Sequence, residues 1–136
     1  MTEPRYMLDT NICIYIARRK PPQVFARFEK LKAGEAVLSV VTYGELRFGA
    51  AKSKRRNEVL KDLEELTSFL PVRALPIEAA EEYGRLRSQL EDKGRPIGGN
   101  DLWIAAHASA EKLVLVTNNE REFARVPGLK IQNWAG

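Results

Sequence analysis

The sequence predicts an α/β domain built on a five-stranded parallel sheet with helices on both faces. Two observations carry this expectation. Short apolar or β-branched runs alternate with longer stretches of helical periodicity along the chain, as in repeated strand–helix–strand units. The first of these runs, Tyr6-Met7-Leu8, stays apolar up to Asp9, as expected of a strand buried on both faces. A chain of 136 residues is the size of one domain with one ordinary core, so residues 1–136 are read as a single domain.

The elements follow in order. After the first strand, Thr10 or Asn11 can cap a helix carrying Ile12 to Ile16, with Arg18-Arg19-Lys20 in its last turn and Pro21-Pro22 as a stop. A second helix places Val24, Phe25, Phe28 and Leu31 on one face and ends before Gly34. Residues 36–41 form a β-branched run and read as the second strand. Thr42 can cap the helix that follows, which puts Glu45 at capping-box spacing. The basic stretch Lys52-Ser53-Lys54-Arg55-Arg56 separates it from a helix with Val59, Leu60, Leu63, Leu66 and Leu70 on one stripe.

Residues 72–75, between Pro71 and Pro76, suit an edge strand. A helix over 77–93 faces inward with Ala80, Tyr83, Leu86 and Leu90 and closes at Gly94. The Gly- and Pro-containing segment 94–100 is a loop, with Asn100 placed to cap a helix opening at Asp101. Residues 113–116 are a strand, 120–124 a short helical turn, and 129–131 a last strand.

Composition excludes several classes. The apolar fraction of 44% with interspersed charge describes a globular chain, and a net charge of +4 is too mild to argue for a nucleic-acid partner. The single cysteine, Cys13, excludes an intrachain disulfide and a multi-cysteine zinc site. No apolar run approaches the roughly 20 residues of a membrane span, and no targeting segment is visible, so a cytoplasmic location is expected.

Four carboxylates occupy comparable places. Asp9 ends the first strand, Glu45 and Asp101 open helices, and Glu122 follows the strand ending at Val116. In a parallel sheet these positions share one edge, where ligands bind. Singly, each has a bland explanation: Glu45 and Asp101 as first-turn acids stabilised by the helix dipole, Asp9 as an acid satisfied by a turn with Thr10 and Asn11, and Glu122 as a solvated charge. As a group they repel, and one would protonate unless a cation joins them. A hard divalent ion, Mg²⁺ with Mn²⁺ as a substitute, suits an all-oxygen set. Its chemistry is phosphodiester hydrolysis. The only histidine, His107, lies six residues beyond Asp101 in an Ala-rich helix and reads as a packing or surface residue, and metal-activated water needs no histidine base.

Four stretches resemble the PIN-domain ribonuclease toxins of VapC type: Met-Leu-Asp-Thr-Asn-Ile at 7–12, Thr-Tyr-Gly-Glu-Leu at 42–46, Ile-Gly-Gly-Asn-Asp-Leu-Trp-Ile-Ala-Ala-His-Ala at 97–108, and Val-Thr-Asn-Asn-Glu-Arg-Glu-Phe at 116–123. The resemblance covers essentially the whole chain. It implies a PIN-like domain, Mg²⁺-dependent RNA cleavage, and inhibition by a VapB-type antitoxin. Carried over by position, it implies Asp9 and Asp101 as main metal ligands, Glu45 as ligand or water-orienting group, and Glu122 as a fourth acid. Thr10, Asn11, Asn100, Thr117 and Asn119 would be polar supports. Asn119 stands where many PIN domains have an acid, so one ion is expected to bind firmly and a second only loosely. The motif at 116–123, with Arg-Val-Pro-Gly-Leu after it and a late Trp, is similar to toxins that cut initiator tRNA in its anticodon stem-loop. Lys52, Lys54, Arg55 and Arg56 are either phosphate contacts or a solvated turn, and Arg18, Arg19 and Lys20 carry the same two readings. A homodimer is expected as well. The alternatives are a catalytically weak RNA-binding protein of the same fold and a DNA-directed nuclease.

Overall fold

β1 (Tyr6–Leu8) is the central strand of a five-stranded sheet ordered β3-β2-β1-β4-β5, in which every pairing is parallel. The computed structural model describes residues 2–136. From β1 the chain passes through α1 (Thr10–Arg18) and α2 (Pro22–Glu29) to β2 (Ala36–Ser39). It continues through α3 (Val40–Lys52) and α4 (Arg56–Phe69) to the edge strand β3 (Val72–Arg73). It then returns by α5 (Ile77–Asp92) and α6 (Gly99–Ala110) to β4 (Val114–Val116), on the far side of β1. A short α7 (Glu120–Phe123) leads to β5 (Ile131–Gln132). The direction of strand addition therefore reverses between β1 and β4, and that crevice is the usual ligand site of such sheets.

Side chains alternate across the strands. Met7, Val37 and Leu115 pack under α5 and α6 with Leu86, Leu90, Leu102, Ile104 and Phe123. Leu8, Leu38 and Val116 face the opposite layer with Ile12, Ile16, Val24, Leu70 and Trp134. Each fully buried large apolar side chain contributes about 1.5–3 kcal/mol, so the two layers clamp the sheet from both sides, as the sequence predicts. Val24 is completely buried, and Phe25 and Phe28 are half-buried against the same layer, whereas Phe48 is 64% exposed. Among the described residues no helix is long and apolar enough to cross a membrane.

The structure corrects several boundaries. Asp9, and neither Thr10 nor Asn11, caps α1, because its carboxylate directly precedes the free amides of the first turn. Ser39 caps α3 in place of Thr42: its Oγ accepts from the Val41 amide at 3.1 Å. The β-branched Val40 and Val41, expected in the strand, are helical because Ser39, the last residue of β2, caps α3 directly. Thr42 is buried inside the helix, its hydroxyl without a partner among the described residues. Glu45 is therefore six residues beyond the cap, and the capping-box reading of it is removed. Gly98 precedes α6, so Asn100 lies within the helix. α5 buries Ala79, which shares the turn spacing of Leu86 and Leu90, and leaves Ala80 exposed. β3 stops at Arg73, β4 starts at Val114, and β5 is displaced to Ile131–Gln132.

Candidate active site

The crevice between β1 and β4 is built around Asp9, which is 5% exposed. Its Oδ1 accepts from the Thr10 amide at 2.8 Å and its Oδ2 from the Thr117 hydroxyl at 2.8 Å. Thr117 reaches it because β4 is the direct neighbour of β1. Burial raises the Asp9 pKa, and the charges of Glu45 and Glu122 add to that rise. The hydrogen bonds from Thr117 and Thr10 act against it.

Asp101 comes from the first turn of α6. Burial first, then the charges of Asp9, Glu122 and Glu45, push its pKa up to about 7. Its carboxyl hydrogen-bonds Glu122, which raises Asp101 and lowers Glu122, as when a protonated Asp101 donates to an ionised partner. Glu122 is held below the usual carboxylate range chiefly by the Gly98 amide, which donates to Oε1 at 2.8 Å. Asn119 Nδ2 donates to its Oε2 at 2.9 Å. The Asn119 amide nitrogen also donates to the Thr117 hydroxyl at 2.9 Å. The side chain that replaces an expected acid thus orients a neighbouring one.

Glu45 projects from the second turn of α3. Its Oε1 accepts from the Thr10 hydroxyl at 2.6 Å, and Asn100 Nδ2 lies 3.5 Å from its Oε2. The structure therefore brings together Asp9, Glu45, Asp101 and Glu122 with Thr10, Asn100, Thr117 and Asn119. Asn11 is exposed and takes no part. The basic turn between α3 and α4 is exposed: Arg55 pairs with Glu58, Lys52 lies over the Phe48 ring, and Arg56 donates to the Ala51 carbonyl. A cleft of about 470 Å³ links it to the acids, running from Thr10 and Glu45 past Leu46 and Leu63 to Ser53 and Arg55. Sequence reasoning missed the Gly98 amide; its signal was the glycine-rich loop immediately before Asp101.

Among the described residues no three acidic, imidazole or thiol side chains enclose a ready-made metal cage. The open all-oxygen cluster fits Mg²⁺, which keeps several waters and takes only one or two carboxylates from a protein. No lysine or arginine charge is among the influences on Asp9 or Asp101, so a divalent cation would supply the missing counter-charge. A pH dependence follows in the metal-free protein. Asp101 binds its proton more tightly when folded than when unfolded, so its contribution to folding stability is fully present below about pH 4 and is lost as pH rises towards and through 7. Urea titrations with EDTA are expected to show this contribution, and Mg²⁺ to restore stability more at pH 8 than at pH 6. A Mg²⁺ effect independent of pH would contradict it.

The PIN domain family model matches residues 6–129. The chain is 41% identical over 130 residues to Ribonuclease VapC2 of Haemophilus influenzae, covering 96% of this chain and 98% of that one. It is 42% identical over 131 residues to the tRNA(fMet)-specific endonuclease VapC of Shigella flexneri, with the same coverage. The crystal structure of DNA-bound VapBC from Salmonella typhimurium superposes with a TM-score of 0.90 at 40% identity, covering 96% of this chain and 98% of that one. The chain belongs to the PIN domain family, in its VapC ribonuclease branch.

Proposed function

We propose that the chain is a divalent-metal-dependent endoribonuclease that hydrolyses phosphodiester bonds in RNA, acting in the cytoplasm as the toxin of a toxin–antitoxin pair. The observation that carries this reading is the meeting of Asp9, Glu45, Asp101 and Glu122 in one crevice, with Asp101 driven to about 7 by burial and by its acidic neighbours. PIN-domain ribonucleases generally depend on a divalent metal. Asp9 and Asp101 would hold Mg²⁺, with Glu122, fixed by Gly98 and Asn119, as a further acid beside them. When bound, such an ion supplies a Lewis acid for a phosphoryl oxygen and lowers the pKa of attacking water. Glu45, gripped by Thr10 and close to Asn100, would orient an attacking water. Thr117 keeps Asp9 in place and favours its charged form.

The substrate we assign is structured RNA of the initiator-tRNA class, on the strength of the tRNA(fMet)-specific relative from Shigella flexneri. The cleft that runs from Glu45 over apolar Leu46 and Leu63 suits an antitoxin segment with an apolar face, whose arginine could reach the carboxylates. On α3, Val40 and Phe48 are exposed two turns apart on one stripe, a patch suited to a homodimer. Residues 1–136 would act as one nuclease domain.

The test is incubation of the purified protein with initiator tRNA, other structured RNA and single-stranded DNA, in Mg²⁺ and in excess EDTA. The expected result is Mg²⁺-dependent cleavage of the tRNA. Undiminished cleavage in EDTA, or no cleavage of any RNA, overturns the reading, and cleavage confined to DNA reassigns the substrate.

A further inference from the structure

Away from the acids, a second polar cluster runs from the core to the surface. Ser39 and His107 are completely buried, with Ser39 Oγ 2.8 Å from His107 Nδ1. His107 Nε2 is 2.5 Å from Glu111 Oε2, and Glu111 Oε1 accepts from Arg73 Nε at 2.9 Å. Arg73 is the register partner of Ser39 across the β2–β3 ladder. The side-chain series Ser39–His107–Glu111–Arg73, closed into a ring by the backbone pairing of Arg73 with Ser39, ties β2, the C-terminal end of α6 and β3 together.

The proton positions in this ring follow from its partners. Ser39 Oγ accepts the Val41 amide while capping α3, which leaves its own hydroxyl proton for His107 Nδ1. Nε2–H then donates to Glu111, and each of these atoms is satisfied by a neutral imidazole. Burial lowers the His107 pKa and so favours that neutral form. A serine, a histidine and a glutamate in series suggest a nucleophilic relay. Ser39 is fully buried, however, and no substrate reaches its oxygen.

The placement of the ring indicates a different role. Ser39 lies six residues before Glu45 at the start of α3, and His107 lies six residues after Asp101 on α6. Six helical residues span about 9 Å. The two helices meet again where Asn100 approaches Glu45. They are thus joined at two levels in reverse order, Ser39 to His107 and Glu45 to Asn100. We propose that the Ser39–His107–Glu111–Arg73 ring sets the separation of Glu45 from Asp101, making His107 a positioning residue for RNA hydrolysis. This rests on the assignment of the carboxylates as a divalent-ion site. Apolar packing between α3 and α6 tolerates sliding, whereas hydrogen bonds of fixed direction do not. A tilt of a few degrees about the Ser39 joint would move the Glu45 carboxylate by about 1 Å, and misplacement on that scale can cost about 100-fold in rate.

The experiment uses the full chain, an RNA substrate and Mn²⁺ as the probe ion in calorimetry. His107→Leu keeps an apolar side chain in the core and removes both of its bonds. Glu111→Ala opens the ring at its solvent side without disturbing the core, and Glu111→Gln keeps an acceptor for Nε2–H. We expect folded His107→Leu to lose about tenfold in kcat and in Mn²⁺ affinity with KM within about twofold, and Glu111→Ala to lose about threefold. Glu111→Gln should stay near wild type. Wild-type kcat and Mn²⁺ affinity in folded His107→Leu, with only a lowered Tm, would make the ring a stability element and overturn the proposal. If His107→Leu does not fold, the same result in Glu111→Ala overturns it. A wild-type protein that neither binds Mn²⁺ nor cleaves RNA overturns the ion-site assignment with it. Variants matching an active, Mn²⁺-binding wild type overturn positioning alone.

Discussion

Asp101→Asn is expected to lower kcat for RNA cleavage by about 10³-fold or more while leaving Tm in EDTA equal to or above that of the wild type. The activity loss follows from removing one of the two carboxylates proposed to hold the ion, since metal stabilisation of a phosphoryl transition state is worth several kcal/mol and each 1.36 kcal/mol is tenfold. The stability gain follows from the raised pKa. At pH 8 an ionised Asp101 is held among Asp9, Glu122 and Glu45, and a neutral amide relieves that repulsion. Opposite movement of activity and stability separates a functional acid from a structural one. Thermal melts with EDTA at pH 8, beside single-turnover RNA cleavage in Mg²⁺, measure both. An Asp101→Asn protein that cleaves at the wild-type rate would remove Asp101 from the ion site.

Phe123→Ala is expected to destabilise the fold by about 3–5 kcal/mol. For a domain of this size that is a fall in Tm of about 10–20 °C. Phe123 is completely buried in the layer that holds Met7, Leu115 and Leu102. It is the anchor of α7, a four-residue helix too short to hold itself together. The ring fills a site that the surrounding strands and helices cannot collapse into, so the cavity term adds to the transfer term. Phe123→Leu should recover more than half of the loss. Urea denaturation reads the effect, and a loss below about 1 kcal/mol would mean that α7 is not docked through this ring.

The order of elements and the edge position of β3 were legible in the sequence, because periodicity and Pro–Gly punctuation report burial directly. The four acids were legible for a related reason: strand ends and helix starts are easy to place, and in a parallel sheet they share one edge. The helix caps were less accessible. Asp9, Thr10 and Asn11 are all good caps, and only the path of the chain after Leu8 selects Asp9. Ser39 sits inside a β-branched run, where β propensity for Val40 and Val41 outweighed a single hydroxyl in the reading. His107 was read as a packing or surface residue. It is buried, but its imidazole is fully bonded to partners 68 residues back and four ahead. No local pattern marks such a long-range bond. Asn119 looked like the loss of a ligand, and its amide instead secures Glu122, a role visible only once the turn after β4 is built.

The bond from Thr117 to Asp9 spans 108 residues of sequence. Its timing during synthesis has a consequence for the cell. A ribosome adds about 5–20 residues each second, so Asp9 emerges several seconds before β4, the strand that must pair with β1 to complete the crevice. Until then α6, which carries Asp101, has no finished sheet beneath it. The nascent chain therefore carries its first acid early but has no assembled nuclease centre. Cleavage of RNA at the ribosome that is making the protein would be deferred until β4 and Thr117 have been translated.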